Sequence, residues 1–377
     1  GEFRILREIG RGGMGIVYEA EQPSMRRRVA LKVLLPSIVA SRKAVERFQR
    51  EAQAAGSLKH TNIVAVHQLG QDGGIWFSAM ELVEGRPLSE VIDDLRKARR
   101  TPSKATESCG LTRSRSGSHA FYVRVAEMFA SVAEALQVAH DHGVIHRDIK
   151  PSNLLLDAEG ELRIVDFGLA RLDDAASMTI TGDFLGTPSY MSPEQILGTA
   201  ALDARTDVYA LGATLYEALV LRPPFIAPTV GALLQKILRK DPPSPRRRNR
   251  GLPRDLETIM LKAIEKEPGQ RFRSASEMAQ ELRRFAQGAT IRARPLGPVR
   301  RSWRVVKRHK VRSALVAAVL VATLVGSLAI GVARRASEDR QRLEYAALCR
   351  DADLTAVREW GIHESELAEM ERAGRSY

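Results

Sequence analysis

The sequence predicts an α+β protein, with short strands in its first part and helices in the remainder. Two observations lead to this class. Runs of β-branched and aromatic residues separated by glycine turns fill residues 3–80. Apolar residues at helical spacing then dominate from about residue 123 to 288. Strands followed by helices, with little alternation between them, are typical of a sheet and a helical layer that are segregated along the chain.

The composition is that of a globular protein, with 377 residues of which 44% are hydrophobic and 27% charged. The net charge of +13 is concentrated, because nine Lys and Arg and no acid lie between Arg292 and Arg312. Only two cysteines occur, Cys109 and Cys349. That excludes a disulfide framework or a cysteine zinc site and indicates a reducing compartment. Residue 1 is not Met, so we expect the natural chain to begin further upstream.

The first strand, Phe3–Ile9, leads into a glycine-rich turn and a second strand that begins at Val17. In a Rossmann fingerprint the glycines open a helix, and in a Walker A loop Gly-Lys-Ser or Gly-Lys-Thr follows them. The sequence shows neither pattern here. Glycines allow a backbone to approach phosphate closely, and Ile9 with Val17 could cover a base. A glycine-rich hairpin without a ligand is the alternative at this point.

The strand Val29–Leu34 places Lys32 on the same face as Ala30 and Leu34, where an ammonium needs an anion. The helix predicted over Ser41–Leu58 carries Glu51 on or beside its inward stripe. We therefore expect Lys32 and Glu51 to pair.

Strands over Ile63–Leu69 and Ile75–Met80 complete the first sheet, and Glu81–Gly85 is predicted to connect it to the helical part. Residues 96–118 are rich in Arg, Ser, Thr and Gly, which predicts an exposed insertion. An apolar helix is predicted over Val123–His140.

The stretch Val144–Asn153 sets an acid, a cation and an amide at fixed spacing, namely Asp148, Lys150 and Asn153. A charged surface loop is the simplest interpretation of such a pattern. A second candidate metal ligand, Asp166, follows the predicted strand Leu162–Val165 and argues for chemistry instead. Downstream, Thr- and Ser-rich residues precede Pro193, and Arg271 is predicted to be the buried partner of Glu194.

In order and spacing these motifs resemble the eukaryotic-like serine/threonine protein kinases of bacteria. The resemblance covers about residues 3–288 and implies a bilobal fold, with a small antiparallel sheet lobe containing one key helix (1–83) and a larger helical lobe (84–288). It implies an activation segment over 166–194. The sequence departs from the family pattern at Ile149, at Ser192 and in the long insertion at 96–118. The resemblance is carried by the motifs Gly10-x-Gly12-x-x-Gly15-x-Val17, Val29-Ala30-Leu31-Lys32, Glu51, His146-Arg147-Asp148, Asp166-Phe167-Gly168 and Ser192-Pro193-Glu194.

The resemblance also implies roles. Asp148 would be the catalytic base, Lys150 would neutralise the moving phosphoryl group, and Asn153 with Asp166 would bind Mg²⁺. Arg147 would meet a phosphate on Thr179 or Thr181, placed there by a second copy in a homodimer. Residues implied to surround ATP are Ile9, Gly10, Arg11, Gly12, Gly13, Met14, Gly15, Ile16, Val17, Ala30, Lys32, Glu51, Met80, Leu82 and Leu155. A pseudokinase scaffold and a small-molecule phosphotransferase are the two rival functions.

Ser313–Ala333 holds 21 residues without a charge, which as a helix span roughly 31 Å and predict a single transmembrane helix. A buried helix of a soluble protein is the alternative. The basic linker before it, residues 289–312, is expected to bind anionic lipid headgroups, not nucleic acid. The charge asymmetry predicts that the kinase-like part faces the cytoplasm and that residues 334–377 form a short helical stub on the other side.

Overall fold

The structure is a computed structural model that describes residues 2–12, 15–35, 42–100, 117–166, 188–199, 202–294 and 310–373. The chain divides into two compact units, Gly1–Pro295 and Leu296–Tyr377. The first unit carries the sheet and the helical layer, and the predicted α+β class is confirmed there.

A five-stranded antiparallel sheet with strand order β1-β2-β3-β5-β4 opens the first unit. One helix, α1 (Arg42–Ser57), separates its third and fourth strands. Alternation along the strands buries Ala20, Val29, Leu31 and Ala79 on one face. The opposite face presents Lys32. The strands are β1 (Arg4–Arg11), β2 (Gly15–Gln22), β3 (Arg27–Leu34), β4 (Val66–Asp72) and β5 (Ile75–Glu81).

Gly15 at the start of β2 fits only because it lacks a side chain. A Cβ on this residue would lie 2.3 Å from the carbonyl oxygen of Val33 on the neighbouring strand, far inside van der Waals contact. At Gly12, three residues earlier, a Cβ would meet no atom of the described residues within 4 Å. The two glycines of the turn are therefore under different constraints.

The fourth strand begins later than the sequence predicts. Ile63 forms an isolated parallel bridge with Ile164, and the backbone N–H of Val64 donates to the Ile164 carbonyl at 3.0 Å. Because these residues pair with the helical lobe, the strand proper starts only at Val66. The fifth strand in turn extends through Glu81, which the sequence assigned to the connector.

The second lobe combines a small sheet with a helical layer around α5 (Arg205–Val220), which is buried along nearly its whole length. Gly212 in α5 packs so closely on α8 (Arg254–Ala263) that a Cβ there would lie 2.5 Å from the Cβ of Ala263. The small sheet comprises β6 (Gly85–Pro87), β7 (Leu154–Asp157) and β8 (Leu162–Ile164). The other helices are α2 (Leu88–Arg100), α3 (His119–Asp141), α4 (Pro193–Leu197), α6 (Val230–Arg239), α7 (Pro245–Arg248) and α9 (Ala275–Ala286).

The predicted start of the insertion at residue 96 is wrong, because α2 continues to Arg100. Leu88, Val91, Ile92 and Leu95 bury one stripe of this helix in the core. Arg96 then lies in an ordered helix and anchors it, donating from Nε to the Leu221 carbonyl at 2.7 Å. Residues 101–116 of the predicted insertion lie outside the described residues.

The second unit is described as one helix, α10 (Lys310–Ala373). Among the residues whose side chains are described, no helix has both the length and the hydropathy required to cross a membrane. The side chains of residues 313–317 and 320, within the predicted span, lie outside that set. The transmembrane helix stays a prediction.

The predicted pair of Arg271 with Glu194 is confirmed and joins two distant parts of the helical lobe. Two guanidinium nitrogens donate to the two carboxylate oxygens at 2.6 and 2.7 Å. The Arg271 side chain is fully buried. It also donates to the carbonyls of Glu265, Arg205 and Lys266, so its donors are well satisfied. Burial of Glu194 opposes its ionisation, but Arg271 outweighs that effect and holds the pKa of Glu194 below its usual value.

We expect the Arg271→Ala substitution to lower the free energy of unfolding by about 3–5 kcal/mol, because it leaves the Glu194 carboxylate buried without its cation. Urea unfolding of the whole chain at neutral pH measures the loss. The matched control is Arg273→Ala, at an exposed neighbour, which should change stability by less than about 0.5 kcal/mol. Equal stabilities of the two variants would contradict the assigned role.

Candidate active site

The backbone of the candidate catalytic loop is fixed by one buried carboxylate, that of Asp207 near the start of α5. Its Oδ2 accepts the N–H of His146 at 2.8 Å, and its Oδ1 accepts the N–H of Arg147 at 2.7 Å. Arg147 has a φ of 66°. This left-handed conformation costs a non-glycine residue about 1–3 kcal/mol. The two hydrogen bonds to this buried side chain offset that cost, so Asp207 sets the turn that positions Asp148.

His146 connects this turn to the strand that precedes Asp166. Its ring is fully buried, and Nδ1 accepts the backbone N–H of Asp148 at 3.2 Å. Nε2 lies 3.2 Å from the carbonyl oxygen of Val165 and therefore carries the proton of the neutral ring. Burial lowers the pKa of His146, although the nearby carboxylates of Asp207, Asp148 and Asp166 oppose the shift. The residue is thus a neutral structural link.

The predicted catalytic groups Asp148 and Lys150 lie together with the predicted metal ligand Asn153. Lys150 Nζ donates to Asp148 Oδ2 at 2.8 Å. Asn153 Nδ2 donates to the Asp148 carbonyl at 2.9 Å and to its Oδ2 at 3.2 Å. A short 3-10 helix, Pro151–Asn153, bends the chain back so that the amide reaches the acid. The carboxylate is therefore oriented by an ammonium and an amide at once.

Asp166 is brought next to this group by the end of β8. The backbone N–H of Val165 donates to the Asn153 carbonyl at 3.0 Å. Asp166 has a φ of 56° and points its Oδ1 to Lys32 Nζ at 2.7 Å. Loss of hydration opposes the ionisation of Asp166, but the Lys32 charge and hydrogen bond prevail and hold its pKa below the usual value. The carboxylate is ionised and faces the sheet lobe.

Lys32 was predicted to pair with Glu51. The structure shows its ammonium on Asp166, while the side chain of Glu51 lies outside the described residues. The pairing of Lys32 with Glu51 stays a prediction. Glu51 is nevertheless part of α1, the α-helix in the described part of the sheet lobe.

Most of the described residues that were predicted to surround ATP lie on or next to the strands of the first sheet. In the sheet register, Val17 stands opposite both Gly10 and Lys32, and Ala30 stands opposite Met80. In the other lobe Leu155 lies on β7, opposite Arg163. Strand β1 ends with Ile9, Gly10 and Arg11, and β2 begins with Gly15 and Ile16. Gly12 lies between these two strands, and Leu82 follows β5. Gly13 and Met14 lie outside the described residues.

A cavity extends from Lys32 and Asp166 toward α1. Its walls are mainly apolar, with Met80 of β5 on one side. The remaining lining residues are Phe48, Ala52, Ala55, Val64, Val66, Ser78, Ile164 and Val165. The ion pair of Lys32 and Asp166 thus forms a polar part of the wall of a mainly apolar cavity.

One ion pair at the connector was missed by the sequence analysis. Arg163 Nη2 donates to both carboxylate oxygens of Glu81, at 2.8 and 2.7 Å. Glu81 is the last residue of β5, and Arg163 lies in β8 three residues before Asp166. A lone cation within the apolar strand Leu162–Val165 was the available signal. The pair ties the end of the sheet to the strand that delivers Asp166.

A second missed group lies beside residues 188–190 of the predicted activation segment, which by the kinase resemblance would present a protein substrate and are called the predicted substrate platform below. The Tyr190 hydroxyl donates to Glu217, and Arg96 donates to the same carboxylate. Arg96 also donates to Asp93 at 2.6 Å. Burial and the Glu217 charge raise the pKa of Tyr190, so its hydroxyl keeps its proton. This network connects α2, α5 and the segment before α4.

Comparison with known proteins gives a consistent result. The family described as "Protein kinase domain" matches residues 3–282. The chain is 35% identical over 283 residues to the serine/threonine-protein kinase PrkC of Bacillus subtilis and 36% identical over 286 residues to PknB of Mycobacterium tuberculosis. These alignments cover 75% and 74% of this chain but only 40% and 42% of the relatives. The chain therefore spans about two fifths of the length of the relatives it matches.

Among solved structures, the kinase domain of Mycobacterium tuberculosis PknI is similar, with a TM-score of 0.57 and 28% sequence identity. The alignment covers 76% of this chain and 96% of that domain. With the sheet lobe and helical lobe described above, this confirms the predicted bilobal fold.

Proposed function

This chain belongs to the protein kinase family, and from that premise we propose that it transfers the γ-phosphoryl group of ATP to serine and threonine hydroxyls of proteins. The observation that carries the proposal is the contact of Lys150 and Asn153 with Asp148, at 2.8 and 3.2 Å. A base, a cation and an amide on one turn are the groups that such a transfer requires.

In the proposed reaction the substrate hydroxyl oxygen attacks the γ-phosphorus of ATP, and the bond from that phosphorus to the β–γ bridging oxygen breaks, releasing ADP. Asp148 accepts the hydroxyl proton. Lys150 balances negative charge on the transferring group, and Lys32 holds the nucleotide phosphates. Their short contacts orient these side chains before substrate arrives, which favours the transition-state geometry.

The donors present fit Mg²⁺. The amide oxygen of Asn153 and the ionised carboxylate of Asp166 are hard oxygen ligands, the type this cation prefers. When bound, the metal neutralises charge on the phosphates. Gly12, which has no neighbour within 4 Å of a built Cβ, leaves room for a phosphate beside the turn.

We expect Asp148→Asn and Lys32→Met each to reduce phosphate transfer by at least about a hundredfold, since each removes a group that acts on the reacting atoms. Transfer of radiolabel from ATP to a generic protein substrate measures the loss. Matched controls are Asp72→Asn and Lys59→Met, at exposed positions away from the site, which should leave transfer unchanged. If the parent chain binds ATP yet labels neither itself nor any protein, a pseudokinase scaffold is the better description.

Activation by phosphorylation of Thr179 or Thr181 is a further proposal, and both residues lie outside the described part of the chain. What supports it is Arg147, next to the catalytic Asp148. Burial lowers the pKa of its guanidinium, with Asp207 opposing the shift, so a nearby anion would stabilise the cation. A phosphothreonine adds about −1.5 to −2 charges and three acceptor oxygens.

We expect the Thr179→Ala, Thr181→Ala double variant to lose most activity, with phosphate mapped to this segment in the parent chain by mass spectrometry. Mixing active chains with the Asp148→Asn variant tests the proposed homodimer, because phosphorylation of the inactive copy requires transfer in trans. Full activity of the double variant, with an unmodified segment in the parent, would refute the switch.

Membrane attachment is proposed from the sequence of residues 313–333, with the basic linker at 289–312 on anionic headgroups of the cytoplasmic leaflet. We expect the full chain to stay with the membrane fraction after carbonate extraction. A chain that ends at Arg312 should bind anionic vesicles only at low salt. Release of the full chain by carbonate would count against the span.

A further inference from the structure

The helical lobe carries a group of exposed arginines that its carboxylates do not neutralise. Between Arg222 and Arg254 the sequence contains nine Lys and Arg and a single acid, Asp241. We define the arginine patch as Arg99, Arg222, Arg247, Arg248 and Arg250, all of which are exposed.

The fold brings the patch together from three segments. At the end of α2, Arg99 Nη2 donates to the Arg248 carbonyl at 3.3 Å. Arg96, one turn earlier, holds the Leu221 carbonyl, which directly precedes Arg222. Asn249 Nδ2 donates to the Leu219 carbonyl at 3.0 Å, which fixes the residues after α7 against the end of α5. The Arg99 contact uses a backbone carbonyl, so it positions that guanidinium without balancing its charge, and the other two contacts fix the backbone beside Arg222 and Arg250.

Several other arginines of this lobe have acidic partners. Arg86 pairs with Asp94 at 2.8 Å, Arg124 with Glu161 at 2.8 Å and Arg283 with Glu134 at 2.9 Å. Within the described residues, no such pair involves a member of the patch. Glu257, the acid beside α7, accepts the Ser244 hydroxyl and the Arg246 backbone N–H through Oε1, and within the described residues it forms no ion pair with a member of the patch.

Arg246, next to the patch, adds a further cation to this part of the lobe. Its Nε is buried and has no hydrogen-bond partner among the residues that the structure describes. Like charges gathered without counterions repel one another, and guanidinium groups bind carboxylate and phosphate in a bidentate manner. The surface is therefore suited to an anion with several charges.

The patch is linked to the predicted substrate platform. Arg222 follows Leu221, whose carbonyl is bound by Arg96, and Arg96 shares the Glu217 carboxylate with Tyr190. Tyr190 belongs to the segment that would present a protein substrate. An anion on the patch would thus be held by the same packed elements that position the acceptor hydroxyl.

We propose that the arginine patch docks an acidic or phosphorylated segment of the protein substrate, at a distance from the residue that is phosphorylated. The link to the Tyr190 network favours a protein ligand over a lipid surface. The effect on catalysis rests on the proposed kinase function, but the binding itself does not.

The test compares two charge-reversal variants of the whole chain. Arg247→Glu with Arg248→Glu alters the patch, and Lys59→Glu with Arg273→Glu makes the same change in net charge at exposed positions elsewhere. Fluorescence anisotropy measures binding of labelled oligoglutamate, with oligoglutamine as the neutral probe. The basic linker is unchanged in both variants and contributes equally.

We expect the patch variant to bind oligoglutamate about tenfold more weakly than the parent, and the control variant to bind like the parent. Binding by the parent should weaken as salt is added. A peptide substrate extended with oligoglutamate should have a lower KM than one extended with oligoglutamine, and the patch variant should lose this difference without loss of kcat on the neutral peptide.

Three outcomes would overturn the proposal. The first is equal binding of the two probes by the parent, and the second is equal binding of oligoglutamate by the two variants. The third is a patch variant that loses binding to vesicles of phosphatidylglycerol and phosphatidylcholine but keeps its binding to oligoglutamate. The last would assign the patch to a membrane. If no peptide is phosphorylated by any chain, the kinase function fails while the anisotropy result still decides the docking site.

Discussion

The carboxylate of Asp207 is the contact on which the rest of the site depends. It accepts two successive backbone N–H groups, of His146 and Arg147, and also lies 2.8 Å from His140 Nε2. Because the acceptor is on a helix that is buried along nearly its whole length, the candidate catalytic loop is held against the core. The chain can then hold Arg147 in a left-handed conformation that it would otherwise leave, and Asp148 is aimed as a result.

Two ion pairs extend this rigidity to the two sides of the site. Arg271 and Glu194 fasten α4 to the segment between α8 and α9, while Arg163 and Glu81 fasten the end of β5 to β8. They differ in environment, because the Arg271 side chain is fully buried whereas 36% of the Glu81 side chain is exposed. The first pair belongs to the core, and the second borders solvent at the junction between the lobes.

Features set by local alternation or by one strong charge requirement could be predicted from the sequence. The face of Lys32 follows from strand periodicity, and the Arg271 partner follows from the cost of burying a cation. Asp207 could not be assigned in this way, because it is 61 residues from His146 and the contact exists only once α5 is packed. The start of β4 was misplaced for a similar reason, since Ile63 has the residue pattern of a strand but pairs with Ile164 of the other lobe.

The two glycines of the first turn belong to one sequence motif but meet different physical constraints. Gly15 is required by the spacing between β2 and β3, since any side chain would strike the Val33 carbonyl and displace the strand that carries Lys32. Gly12 meets no such obstacle. Loss of Gly15 would therefore disturb the sheet, whereas loss of Gly12 would act only through the phosphate proposed to bind beside the turn. In a comparison of natural variants, these two positions would be expected to tolerate change independently, although the motif counts them as one signature.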